Sequence, residues 1–253
     1  MPDIVQRFDG RAADYDRYRE RYDTEELLTL LRDWCRLTPE WLIADVGAGT
    51  GMLADVFLAN GNHVIAIEPN TEMRSACARL HPHQPRLEIR EGIAEATRLP
   101  DASIDMVCSG RALHWFDLEA AMREFRRIVR PGGWVVSAAA GRTEFGRDEN
   151  DAFAKLIERY SDSAYQRPVA DFSYMRIKSF FEGGEFHHYE HGGRMRLDWE
   201  RLRGMTLSLS RAPRAGDPHF AAFEQELREF YNRYARDGFV TLETRCWLNA
   251  GRF

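Results

Sequence analysis

The chain has 253 residues, enough for one well-filled core with room for a cap. Its net charge of −5 comes from 35 Lys and Arg against 40 Asp and Glu, interspersed along the sequence, which argues against a nucleic-acid surface; no run approaches the ~20 apolar residues of a membrane helix. Four cysteines without a C-x-x-C pair, and a charged start without an apolar leader, are read as a reduced cytoplasmic protein.

From Arg7 to Tyr22 the sequence is rich in Tyr, Arg and Asp. Leu27, Leu28, Leu30, Leu31 and Trp34 then fall at helical spacing behind Thr24, a residue type that caps helices. This predicts a helical lead-in over residues 1–40. Strands are expected at Leu42–Val46, His63–Ile67, Leu87–Arg90, Ile104–Ser109 and Trp134–Ala139, separated for the most part by helices at Met52–Ala59, Thr71–Leu80 and Leu118–Val129. The basic residues Arg123, Arg126, Arg127 and Arg130 alternate with Phe125, Ile128 and Val129, the pattern of a solvated helix face. Arg130-Pro131-Gly132-Gly133 reads as a helix stop and turn.

Alternating strands and helices call for an α/β fold: a Rossmann-like open sheet of about seven strands, mostly parallel, with helices on both faces. The core is expected over 41–145. Beyond it, helices at Asp148–Tyr160, Asp198–Leu209 and Asp217–Ala235 and a sixth strand at Phe186–His191 make a mostly helical cap insertion over 146–235. Tyr165–Glu182 carries no clear period, and 236–253 supplies a closing strand, Phe239–Leu248.

The richest segment is Leu42–Glu68. An apolar strand runs into Gly47-Ala48-Gly49-Thr50-Gly51, where the backbone must bend sharply and a ligand must lie close to it, and the next strand ends in Glu68. A carboxylate there can accept hydrogen bonds from both hydroxyls of a ribose, and Pro69 holds it extended. The dinucleotide fingerprint G-x-G-x-x-G fails because its third glycine would be Met52, and no lysine precedes Thr50 to make a phosphate loop. Asp45, inside an apolar strand, is expected to be hydrogen-bonded and to organise the turn, directly or through water.

These segments resemble the class I S-adenosylmethionine (SAM)-dependent methyltransferases of the small-molecule type 11 class. Ala44–Gly51 looks like the first motif of that family, Ile67-Glu68-Pro69-Asn70 with Met73 like its second, Gly92-Ile93-Ala94-Glu95 like the loop that clasps adenine, and Ala112-Leu113-His114-Trp115-Phe116 like the loop after the fourth strand. The resemblance covers Asp9 to Gly141 and, loosely, the C-terminal third. It implies SAM as cofactor and a small-molecule acceptor, with no nucleic-acid or membrane partner. Gly47, Ala48, Gly49, Glu68, Pro69, Met73, Ile93 and Ala94 would bind the cofactor.

Methyl transfer asks chiefly for alignment and exclusion of water, and aromatic faces suit a sulfonium. Tyr15 and Tyr18 would share a helix face, with Arg19 beside them to hold the methionine carboxylate. Arg111 departs from the small or neutral residue usual at its position; a cation 4 Å from a sulfonium would be repelled by about 4 kcal/mol at an effective dielectric of 20. It is therefore expected either to turn away or to bind a carboxylate of cofactor or substrate. His114 is the candidate proton acceptor, and Tyr18, Trp115, Ser208 and Ser210 are candidate substrate contacts. His187, His188 and His191 lie on a strand whose alternation splits the adjacent pair across faces, so no metal is expected. Two rival readings keep the cofactor: ring closure of SAM on itself with release of methylthioadenosine, and a non-catalytic SAM-binding protein.

Overall fold

The computed structural model describes residues 8–143, 146–161 and 174–253. The lead-in forms two helices, α1 (Ala12–Tyr18) and α2 (Thr24–Cys35). The cap of α2 is Asp23, whose carboxylate accepts from the Glu26 N–H at 3.0 Å; Thr24, the expected cap, is already helical. An ionised acceptor one residue earlier serves the free amides better than the hydroxyl.

The expected alternation follows: β1 (Leu42–Val46), α3 (Ala54–Ala59), β2 (His63–Ile67), α4 (Thr71–Leu80), β3 (Leu87–Arg90), β4 (Ile104–Gly110), a 3-10 turn at Leu113–Trp115, and α5 (Leu118–Ile128). α3 starts at Ala54, not Met52, because the glycine turn uses the residues before it. β5 spans Val129–Arg142, so the expected turn at Arg130–Gly133 is instead a bulge: Val129 pairs with Ile104 and Trp134 with Met106. α6 (Asp148–Tyr160), α7 (Tyr174–Ser179), β6 (Glu185–Leu197), α8 (Trp199–Leu207), α9 (Phe220–Tyr234) and β7 (Val240–Arg252) complete the described chain. β6 and β7 both run several residues beyond their expected C-terminal ends, paired along their full length. The first part of the unassigned Tyr165–Glu182 stretch lies outside the described residues.

Among the described residues the sheet has seven strands, in the order β3-β2-β1-β4-β5-β7-β6. β1 to β5 are parallel, and β7 runs antiparallel to both β5 and β6. Alternate residues of each central strand feed opposite cores: Ile43 and Met106 join α2 and α3, whereas Ala44, Val46 and Val107 join α5. A separate cap core gathers Phe153, Leu202, Met205, Phe223 and Leu227 over the neighbouring ends of β6 and β7 at Leu197 and Val240. The chain winds outward from β1 to β3, then returns to place β4 on the other side of β1. That reversal opens a crevice at the carboxyl ends of β1 and β4, where ligands of open α/β sheets sit.

Candidate functional site

The glycine turn lies at this crevice. Gly47 (φ +71°) and Ala48 donate to the Ile67 carbonyl at 2.8 and 3.1 Å, tying the turn to the end of β2. Gly49 has φ +58° with no atom of the described residues within 4 Å of the position its Cβ would take, an open side of the turn. A Cβ on Gly51 would lie 2.8 Å from the His81 ring and 3.0 Å from Cys77 Sγ, so that glycine serves packing against the end of α4.

Glu68, 8% exposed, accepts from the Gly49 N–H through Oε2 and from the Asn70 N–H through Oε1, both at 2.9 Å. Burial raises its pKa, and the two amide bonds with the Arg74 charge oppose that rise. Arg74 also donates to the Glu68 and Pro69 carbonyls, locking the extended Glu68-Pro69 segment. Asn70 caps α4 by accepting from Met73, whose buried side chain packs on Ala12 and Ala76 with Phe8 and Tyr15 alongside.

Gly92–Leu99 passes along the same rim. Ala94 is buried in the α5-side core, and Ile93 is 37% exposed, an apolar surface beside the crevice. Thr97 anchors this loop by donating from its N–H (2.9 Å) and hydroxyl (2.6 Å) to the buried Glu124 carboxylate. Hydrogen bonds from Arg127 hold Glu124 down at about 2.

Across the crevice, β4 ends at Gly110 and Arg111 follows it. The strap Arg19–Asp23, between α1 and α2, lies over them. A Cβ on Gly110 would stand 2.6 Å from the Tyr22 hydroxyl. Arg111, at φ +54°, donates to the Glu20 carbonyl at 2.8 Å and the Ala140 carbonyl at 3.2 Å, with its guanidinium 4.9 Å from the centre of the Tyr22 ring. The Arg111 side chain lines the crevice, with its terminal nitrogens donating to protein carbonyls. Burial pulls its pKa down, but Tyr22, Tyr15 and Glu20 outweigh this and leave it raised. Arg19 stacks on Tyr15 at 5.1 Å, and burial lowers its pKa. His114 is exposed at the 3-10 turn, its ring 4.8 Å from Trp115, which meets Phe8 edge-on at 5.6 Å; Phe8 in turn meets Tyr15 at 6.2 Å. Tyr15, Trp115 and His114 thus belong to one aromatic row.

Between turn and strap remains a cavity of about 20 Å³ lined by Tyr15, Tyr22, Asp45, Gly47, Ala48, Met52, Leu53, Gly110 and Arg111. Around it cluster buried polar atoms without a hydrogen-bond partner among the described residues: both Asp45 oxygens, Arg19 Nε, Tyr22 Oη, Thr50 Oγ1, Ser109 Oγ, Arg111 Nε and Glu20 Oε2, the last in an ion pair at 3.5 Å from Arg111 Nη1. Asp45 therefore makes no direct bond to the turn, and Glu68 supplies that bond. Burial pushes the Asp45 carboxyl up to about 7, against partial relief from the Cys108 thiol and the Ala54 N–H, neither of which reaches hydrogen-bonding geometry. Orphaned buried groups of this density fit a ligand bearing both charges and hydroxyls, which would supply the missing partners. A larger hollow of about 290 Å³ lies at the opposite, amino end of β5, lined by Arg126, Arg127, Arg130 and Phe253; Glu124 and Asp101 pair Arg127, and Asp105 pairs Arg130.

Three expected substrate contacts lie elsewhere. Tyr18 sits against the Gly204 backbone of α8 and donates to Glu200 at 3.0 Å. Ser208 is fully buried and donates to the Met205 carbonyl at 2.6 Å, and Ser210 follows it, half-buried, beyond α8. His187 pairs with Glu185 and stacks on Trp34, His188 bonds Asn249, and His191 pairs with Glu26; among the described residues no cluster could hold a metal. The sequence assigns no role to Gly110 or Glu20, because it is the strap crossing the end of β4 that gives them one.

Residues 44–137 match the family described as "Methyltransferase domain". The chain is 33% identical over 131 residues to an uncharacterized methyltransferase of Mycobacterium tuberculosis, covering 52% of this chain and 51% of that protein, and so spans about half the length of the curated relatives it matches. Among solved structures it resembles a candidate type II methyltransferase of Anaeromyxobacter dehalogenans (TM-score 0.61, 22% identity, 93% of this chain and 98% of that one). It also resembles phosphoethanolamine N-methyltransferase 2 of Haemonchus contortus in complex with S-adenosyl-L-methionine (TM-score 0.56, 14% identity, 98% of this chain and 56% of that one). At these identities the two structures speak for the fold.

Proposed function

Through residues 44–137 the chain belongs to the class I SAM-dependent methyltransferase family, whose cofactor is S-adenosyl-L-methionine, and on that premise we propose that it methylates a small-molecule acceptor in a lidded pocket. The carrying observation is the coincidence at one crevice of the Glu68–Gly49 hydrogen bond with the orphaned polar atoms around Asp45.

When bound, SAM supplies a methyl carbon made electrophilic by its cationic sulfur. Glu68 receives the ribose hydroxyls, with Gly47, Ala48, Gly49 and Pro69 shaping the wall they lie against. Ile93, Ala94 and Met73 offer apolar contact to the adenine. Tyr15 and Arg19 hold the amino-acid end, Arg19 as a cation for a carboxylate and Tyr15 as a ring face for the positive charge. Strap and cap keep water out, so that alignment of the acceptor provides most of the acceleration. His114, beside Trp115, takes the proton that the acceptor loses, and Trp115 supplies a flat contact for its apolar part. Tyr18, Ser208 and Ser210 act at one remove, through the cap. The mixed, mildly acidic charge favours a cytoplasmic protein acting on metabolites over one acting on nucleic acid or a membrane; among the described residues no helix is long and apolar enough to cross a membrane.

The test is incubation with SAM, with and without a metabolite extract, and mass spectrometry of the nucleoside released. S-adenosylhomocysteine formed only with extract supports methyl transfer. Methylthioadenosine formed from SAM alone would replace it with ring closure, and no turnover under either condition would leave a binding protein.

A further inference from the structure

Arg111 is a non-glycine residue held in the left-handed region at the end of a strand, a conformation that persists only where its surroundings enforce it. Here the enforcement is visible. Its own N–H donates to the Ala138 carbonyl at 2.9 Å, Nη1 reaches the Ala140 carbonyl on β5, and Nη2 reaches the Glu20 carbonyl on the strap. Nη1 also lies 3.5 Å from the Glu20 carboxylate, and the guanidinium carbon sits over the Tyr22 ring, 4.9 Å from its centre. The side chain is 10% exposed. Gly110 completes the fit, because any side chain there would strike the Tyr22 hydroxyl.

We propose that Arg111 is a positioning residue that latches the strap Arg19–Asp23 to the ends of β4 and β5, so that one wall of the cofactor pocket is built by a segment from the lead-in. Only a planar fork joins two carbonyls on different elements while stacking on a ring; lysine, a point charge on a flexible stem, would keep one of these contacts. The cavity under the latched strap has room for about one water, so a larger ligand group enters beneath the strap only when the strap shifts and re-docks. Arg111 thereby links occupancy of the pocket to the ordering of Arg19 and Tyr22 above it. Its terminal nitrogens contact the strap and not the reacting atoms, which sets this role apart from a direct cofactor contact. The inference rests on the SAM reading only for the identity of the ligand.

The strap region carries its own reporter, since Arg17 and Arg21 are exposed trypsin sites. The experiment compares wild type, Arg111→Gln and Arg111→Lys by the initial rate of tryptic cleavage at Arg17–Arg21, read by intact mass, and by calorimetric titration with S-adenosylhomocysteine. The latch predicts cleavage about tenfold faster in Arg111→Gln, an intermediate rate in Arg111→Lys, and weaker binding in the same order. Should Arg111→Gln fail to fold, judged by circular dichroism, the Lys variant carries the same comparison. Unchanged cleavage in a folded variant overturns the latch; if binding is lost with cleavage unchanged, Arg111 is a direct ligand contact. A wild type that binds no S-adenosylhomocysteine removes the SAM reading, while the cleavage comparison still decides the latch.

Discussion

The Gly49 N–H donates to Glu68 Oε2 at 2.9 Å, so the acid after β2 holds open the turn that leaves β1. One carboxylate therefore shapes the turn, with Asn70 fixing its second oxygen, and we propose that the same group receives the ribose of SAM. The two consequences separate by substitution.

Glu68→Gln keeps an acceptor for one amide and removes the charge. Hydrogen bonds to charged groups contribute roughly 1.5–3 kcal/mol, or about 10- to 100-fold in affinity. Calorimetry with S-adenosylhomocysteine should show a loss in that range, with the variant's circular dichroism unchanged. Undiminished affinity would remove Glu68 from the ribose site.

Asp45 makes the free protein sensitive to pH. Its folded pKa, raised to about 7 by burial, exceeds its ordinary value of 3.8, so the folded state holds the proton longer than the unfolded state. Its stabilising contribution is complete below about pH 4 and is lost as pH rises to about 7, a change on the order of 4 kcal/mol. Urea denaturation at pH 5 and pH 8 should show Asp45→Asn gaining stability relative to wild type as pH rises. A constant difference would contradict this.

His81 behaves with the same sign for the opposite reason. Its hydrogen bond with Asp55 at 2.7 Å, assisted by Cys77, raises its pKa to about 10 from 6.5. The folded state thus gains from the protonated ring; this gain is complete below about pH 6.5 and disappears as pH climbs through 10. The melting temperature of wild type should fall between pH 7 and pH 10 more than that of His81→Gln. Parallel curves would exclude the pair as the source.

Gly204 admits the Tyr18 ring against the backbone of α8, joining lead-in to cap. Gly204→Ala forces a methyl group into that ring, and overpacking of this kind costs about 1–3 kcal/mol despite the helix propensity gained. Thermal denaturation checks it, and a stabilised variant would show the contact to be loose.

Apolar runs and the glycine turn made β1 to β4 legible, because those signals are local. β5 was legible only from Trp134 onward: Pro131-Gly132-Gly133 has the chemistry of a turn, and the bulge that resumes pairing at Val129 depends on Ile104 of the neighbouring strand. The site divides the same way. Glu68 and the glycines announce themselves by spacing. Tyr15 and Tyr18 share helical spacing yet part company, because α1 ends at Tyr18 and the second ring turns to Gly204. A buried acid at Asp45 points to organisation of the turn, directly or through water; the structure gives the direct bond to Glu68 and leaves both Asp45 oxygens at the cavity. The role of Arg111 needed the strap, which no local pattern places over β4.

The central claim is that the crevice between β1 and β4 binds SAM, and titration calorimetry of the wild-type protein with S-adenosylhomocysteine tests it most directly. The account predicts saturable binding at one site per chain, abolished or strongly weakened in Glu68→Ala. No binding heat at millimolar ligand across several temperatures, with the protein folded by circular dichroism, would contradict it.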